Sequence, residues 1–177
     1  MARTLYIVEN PGYTPDKREA LLRELRRRIP ALTVRVGAGH IEVVVASSDS
    51  PSVREALKAV GEVLEVIDIT SEESVGRGDI RAFAEKFNSE RFWEAHAEIE
   101  ALWRRGRDPV LQALILAAAA FIKLQEGAPD KFVLLAQEAL RLLERAPDRI
   151  DCVDLREFKA SLERSIASRR PFKVICS

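Results

Sequence analysis

The sequence predicts an α+β domain of ferredoxin-like βαββαβ order followed by an all-α helical bundle. Three observations predict it. Up to residue 70, short β-branched runs of period two alternate with two amphipathic stretches of period 3.6. Residues 70–78 (TSEESVGRG) are polar and carry glycines, which reads as a linker. From Asp79 onward the segments repeat at helical spacing, with Gly and Pro at the breaks. The expected division is therefore a sheet domain over 1–70, a linker over 71–78, and a bundle of about five helices over 79–177.

Each element has its own signal. Residues 3–8 (RTLYIV) read as a strand that Asn10-Pro11-Gly12 ends. A helix then starts at Thr14 or Asp16 and runs to Ile29, with Leu21, Leu22, Leu25 and Ile29 on one face. Leu32, Val34 and Val36 alternate with polar residues, Gly37-Ala38-Gly39 supplies a hairpin turn, and Ile41 to Ala46 returns. Ser50-Pro51 caps a second helix, Gly61 ends it, and Val63 to Ile69 is the fourth strand. This order is the split βαβ arrangement. In the second half Asp79 and Ser89 read as caps of the first two helices. Asp108-Pro109 and Pro129-Asp130 open two more, and Asp151 or Asp154 opens the last, which runs to about Ser168. The helix through Ala117–Ala120 is apolar on all sides and is expected at the centre.

Composition narrows the function classes. At 47% apolar residues the chain can build a core and is not a disordered segment. Lys plus Arg and Asp plus Glu are 28 each, and the balance holds locally: residues 1–75 carry 10 basic and 12 acidic side chains, the rest 18 and 16. Neither half has the basic excess of a nucleic-acid binder, so nucleic acid is disfavoured as a partner. Dense charge with few amides leans thermophilic. No secretory pattern opens the chain, and the longest apolar run, Leu111–Ile122, is too short to cross a bilayer. A cytoplasmic protein with no membrane partner is expected. Two isolated cysteines, Cys152 and Cys176, cannot make a metal site, and whether they form a disulfide is open.

The chemistry-bearing residues concentrate in the helix expected from Ser89 to Arg105. Phe92, His96, Ile99 and Trp103 fall at steps of four, three and four and form one stripe expected to face the core. Glu100 lies one turn after His96, close enough to meet it. Gln112 on the neighbouring apolar helix is a third polar group in need of a partner. The expected candidate site is thus Glu94, His96, Glu100, Trp103 and Gln112. Glu94 and Glu98 are expected on other, solvated faces, with Glu94 able to turn toward a helix seam. A plain reading makes His96 and Glu100 a hydrogen-bonded pair that fixes register. A sharper one makes them a ligand pocket or an acid/base couple. Too few ligands gather for a metal, and no P-loop, dinucleotide fingerprint or G-x-S-x-G motif occurs, so no cofactor is expected.

The stretches FNSERFWEAHAEIEALW (Phe87 to Trp103) and LQALILAAAAFIKLQEGAP (Leu111 to Pro129) resemble the bacterial and archaeal Domain of Unknown Function 309 family. The matching residues are Phe92, Trp93, Glu94, Ala95, His96, Ile99, Glu100, Trp103, Gln112, Leu114 and Ile115. The resemblance covers roughly 79–145 and implies a compact helical bundle. It brings no established reaction. Ala97 stands where the family carries Glu after the His, and Lys123 where it carries a polar residue, often His. A family activity needing those groups would be lost here and the fold kept.

Other candidates weigh less. His40 follows the Gly37–Gly39 turn and is expected to be exposed. Arg26–Arg28, Arg104-Arg105 with Arg107, and Arg169-Arg170 with Lys173 sit near helix C-termini, where cations meet the macrodipole. RNA-recognition motifs share the sheet topology, but Tyr6 is offered alone and Ile41–Ala46 has no aromatic to stack a base. The leading functional expectation is a ligand-binding or protein-interaction module, its partner an unknown small molecule or protein, with a homo-oligomer also compatible. A small hydrolase using His96 as general base oriented by Glu100 stands second, and weak nucleic-acid binding through the Arg clusters third. The catalytic residues, if any, are unknown.

Overall fold

Side-chain alternation along Thr4–Glu9 (β1) gives Tyr6 and Val8 to one face of a sheet and Leu5 and Ile7 to the other, and all four are buried. A computed structural model describes residues 1–71 and 75–177 of the chain. In it β1 pairs with Val63–Asp68 (β4) and His40–Val45 (β3), and Ala31–Val36 (β2) pairs with β3. The sheet order is β2-β3-β1-β4, with every pairing antiparallel. Arg18–Arg26 (α1) and Pro51–Lys58 (α2) complete the βαββαβ order. Leu21, Leu22 and Leu25 of α1 and Val53, Ala56 and Leu57 of α2 share one core with Tyr6, Val34, Ile41 and Val43. Ser50 caps α2 by accepting from the Val53 amide at 3.3 Å, as its sequence position predicts. The first helix is shorter than its periodicity suggested, because Pro15–Lys17 forms a 3-10 turn ahead of it.

Both edge strands are irregular where a leucine stands exposed. Leu32 in β2 and Leu64 in β4 are the extra residues at two register shifts. A bulge at an edge bends the strand away from regular pairing with another chain.

The chain falls into two units, Met1–Glu72 with Gln125–Gly127, and Glu73–Leu124 with Ala128–Ser177. The expected linker over 71–78 lies partly outside the described residues, which omit 72–74. The second unit is built from Ile80–Asn88 (α3), Phe92–Gly106 (α4), Pro109–Gln125 (α5), Pro129–Leu143 (α6) and Leu155–Ser168 (α7). A two-residue ribbon, Arg149–Ile150 (β5) with Val153–Asp154 (β6), precedes α7 and has no sequence signal of its own. Asp79 caps α3 through the Arg81 and Ala82 amides, and Asp154 caps α7 through the Glu157 amide at 3.0 Å. Ser89 is not the cap of α4: it closes α3, its hydroxyl donating to the Glu85 carbonyl at 3.0 Å, and α4 begins at Phe92.

Each helix of this unit contributes phenylalanine to one cluster. Phe83 and Phe87 come from α3, Phe92 from α4, Phe121 from α5, Phe132 from α6 and Phe158 from α7, and Phe172 follows α7. These are all seven phenylalanines of the chain. Phe87 lies within 6.0 Å, centroid to centroid, of five of the others, and Phe121 packs on Phe92 at 5.0 Å and on Phe132 at 5.1 Å. Phe121→Ala, measured by guanidinium denaturation, should lower the unfolding free energy by about 3–5 kcal/mol, the cost of emptying a packed aromatic site. A loss under about 1 kcal/mol would mean the cluster is not what holds the helices.

Candidate functional site

Helix α4 carries two polar rows and spends them differently. Its buried residues are Phe92, Glu94, Ala95, Glu98 and Ile99. The buried face is thus rotated from the predicted stripe by roughly one residue step, about 100°, toward Glu94 and Glu98. His96 and Trp103, expected to face the core, lie half-buried at its margin. Glu98, expected in solvent, lies inside, and Glu94, expected in solvent or turned toward a helix seam, is buried at the seam with α3.

Both buried carboxylates are fully employed. Glu94 accepts from Arg91 Nε at 2.6 Å and meets Lys86 Nζ at 3.0 Å, which ties α4 to the end of α3. Glu98 Oε2 accepts three successive backbone amides, Arg77 at 3.0 Å, Gly78 at 3.1 Å and Asp79 at 3.3 Å. These residues lead directly into α3, so one carboxylate fixes the entry of the chain into the helical unit. The glycines there are required. A Cβ on Gly76 would stand 2.2 Å from the Ala97 carbonyl oxygen, and Gly78 has a φ of +83°.

The outer row is His96, Glu100 and Arg104, at successive four-residue steps. His96 Nδ1 is 3.6 Å from Glu100 Oε2, too far for a hydrogen bond. Glu100 instead accepts from Arg104 Nη2 through its other oxygen, at 2.8 Å. The His96 and Glu100 side chains are 27% and 35% exposed, so a solute can reach both. Burial pushes the His96 imidazole below its ordinary value. Glu100 opposes that shift and Arg104 adds to it. Burial thus favours the neutral form of the imidazole. Trp103 is half-buried, with its indole N–H enclosed and no hydrogen-bond partner, and the Arg107 guanidinium lies 5.4 Å from its ring centre.

The predicted constellation is brought together only in part. His96 and Glu100 are neighbours, with Trp103 farther along the same helix. Glu94 is spent on Arg91 and Lys86. Gln112 is exposed on α5 and does not need an internal partner. Among the described residues no group of three or more His, Cys, Asp or Glu side chains could hold a metal.

Sequence reasoning missed a second polar cluster. His40, expected to be exposed, is buried in β3. Its Nε2 lies 3.6 Å from Glu42 Oε1, and Arg35 Nε donates to Glu42 Oε2 at 2.5 Å across the β2–β3 ladder. Burial alone would raise the Glu42 carboxyl. The Arg35 guanidinium and His40 outweigh it and hold Glu42 below the usual carboxylate range. The available signal was hairpin register, which places Arg35 opposite Glu42. Tyr6 is no base-stacking platform: it is buried against the helices and donates its hydroxyl to Asp49 at 2.9 Å. Burial and Asp49 push its phenol up to about 12.

Each of the three basic clusters has members committed locally, Arg104 to Glu100 and Arg107 over the Trp103 ring in the second. Arg26 donates to the Ala31 and Leu32 carbonyls, and Arg27 pairs with Glu24. Lys173 reaches the Asn88 carbonyl, and Arg169 lies over Phe132.

Residues 80–135 match the family described as Domain of unknown function (DUF309). The DUF309 match starts at the first residue of α3, contains both polar rows of α4, and ends in α6. The resemblance expected for the helical half is thereby shown. No curated protein matches the chain.

Two outcomes follow. Glu98→Ala strands three amides and should cost about 2–3 kcal/mol in denaturation, with Glu98→Gln costing less because it keeps an acceptor. In an NMR titration His96 should have a midpoint below about 6.5, the ordinary histidine value. Glu100→Gln should lower that midpoint further and Arg104→Leu should raise it. Because the folded state binds this proton less tightly than the unfolded chain, the His96 contribution to stability is complete above pH 6.5 or so and is lost as pH falls below it.

Proposed function

We propose that the chain is a non-catalytic binding module whose ligand-facing surface is the outer row of α4. One observation carries this reading. The inner carboxylates are consumed by structure, whereas His96, Glu100, Trp103 and Arg104 remain accessible and hold no arrangement the fold needs. An imidazole whose neutral form burial favours, a carboxylate already paired with an arginine and an indole face suit a small polar or aromatic solute, or a protein segment presenting the same groups. The sheet half, read as ferredoxin-like on its βαββαβ order and strand order, is the partner or regulatory half. Nucleic acid is not the proposed partner, because each of the three basic clusters has members engaged by their own surroundings and net charge is zero. No helix among the described residues is long and apolar enough to cross a membrane, and a cytoplasmic site without cofactor is proposed.

The test is a fragment screen by amide NMR on the full chain. Shift changes should gather on residues 93–107 and vanish in Trp103→Ala or His96→Ala at unchanged melting temperature. Fragments that gather elsewhere, or survive both substitutions, would sink the reading.

A second reading has one observation in its favour, the favoured neutral form of His96, available as a base. It predicts hydrolysis of an activated ester or phosphoester that drops at least about a hundredfold in His96→Ala. Activity equal to that of the variant removes it.

A further inference from the structure

After α7 the chain turns back at Arg169, whose φ is +58°, and runs to Ser177 without a helix. This tail closes the helical core. The Phe172 ring lies 5.2 Å from both Phe87 and Phe158 and 5.8 Å from Phe121. Val174 is buried, and the Asn88 side chain serves both its peptide groups, accepting from its amide at 2.6 Å and donating to its carbonyl at 3.0 Å. Asn88 thus replaces the peptide of a neighbouring strand. Farther on, Cys176 pairs with Val153, the Ser177 amide donates to the Cys152 carbonyl at 2.9 Å, and Arg149 reaches the Ser177 carbonyl at 2.8 Å. Cys152 and Cys176 are joined by a disulfide, with Cα atoms 4.5 Å apart and 24 positions apart in sequence.

The ties are unequal. Each non-covalent tie is made by a segment outside the helices that gives up backbone freedom at every residue to make it. Pro171, Lys173, Ile175 and Ser177 alternate outward as exposed residues, so water competes along the whole segment. Segments with so few buried side chains open locally before the body of a domain does. The disulfide is the covalent tie on this segment. Its two residues differ in exposure: Cys152 is buried and Cys176 is only partly so.

We propose that the Cys152–Cys176 disulfide is a redox latch on the C-terminal tail. Oxidised, it pins Phe172 and Val174 into the bundle. Reduced by a dithiol, it frees the tail and uncovers the aromatic face of Phe87, Phe121 and Phe158. The exchange starts with a dithiol thiolate attacking Cys176 Sγ. The S–S bond breaks and Cys152 leaves as the thiolate. The second thiol of the reductant then resolves the mixed disulfide. Two electrons pass from the dithiol, its two protons end on the two protein thiols, and the reductant becomes a cyclic disulfide.

The experiment is hydrogen exchange on the full chain, oxidised and after dithiothreitol, with a thiol count on each. Two thiols should appear under native conditions. The Val174 and Ser177 amides should then exchange at least tenfold faster, while Ala117–Phe121 in α5 stays protected. The Cys152→Ser/Cys176→Ser double variant should behave as the reduced form without reductant and be indifferent to it. Unchanged protection of Val174 after reduction would show that packing alone holds the tail. Loss of protection in α5 as well would make the bridge a staple of the whole unit. Resistance to reduction short of denaturation would show the bond is closed to reductant. Any of the three overturns the latch.

Discussion

The helical half depends on a single aromatic contact set. Five helices and the returning tail each put a phenylalanine into it, and among the described residues no helix of this unit stands outside. Phe87 and Phe121 are its hubs, one from α3 and one from α5. Tilted and edge-on ring contacts such as these have preferred geometries, so the cluster fixes rotation as well as proximity. Phe92 is stacked on Phe121 and edge-on to Phe87. That holds α4 in one rotational setting, and what its polar residues can do follows from the setting.

The consequence is a division of labour along one helix. Residues one turn apart on the inner side, Glu94 and Glu98, are withdrawn from solvent. Each survives there because cations or amides replace the lost water. Residues one turn apart on the outer side keep access to solutes. Both rows run at four-residue spacing and both include glutamate, and the glutamate side chain by itself does not separate them. Position relative to the aromatic cluster does. The segment that Glu98 holds contains Gly78 and follows Gly76 directly, so backbone permissiveness and a buried acceptor work together at the start of α3.

The sheet half repeats the theme with a different element. The hairpin of β2 and β3 sets Arg35 opposite Glu42 and brings His40 to the same carboxylate. A buried pair of this kind contributes little net stability against a well-packed apolar pair, yet losing one partner leaves a stranded charge. The arrangement therefore restricts which register the hairpin can adopt.

Strand and helix order apart from the β5–β6 ribbon, the capping of α2, α3 and α7, the apolar character of α5 and the family resemblance were legible in the sequence, because periodicity, caps and breakers act over neighbouring residues. The adjacency of His96 and Glu100 was legible for the same reason, being a four-residue step on one helix. The rotation of α4, the burial of Glu94, Glu98 and His40, the exposure of Gln112 and the pairing of Cys152 with Cys176 were not. Each depends on which distant segment lies against it: Phe121 and Phe87 for α4, residues 77–79 for Glu98, β2 for Glu42, and the tail for the ribbon before α7. Local spacing says which side chains share a face, but only packing across long sequence separations decides which face is inside.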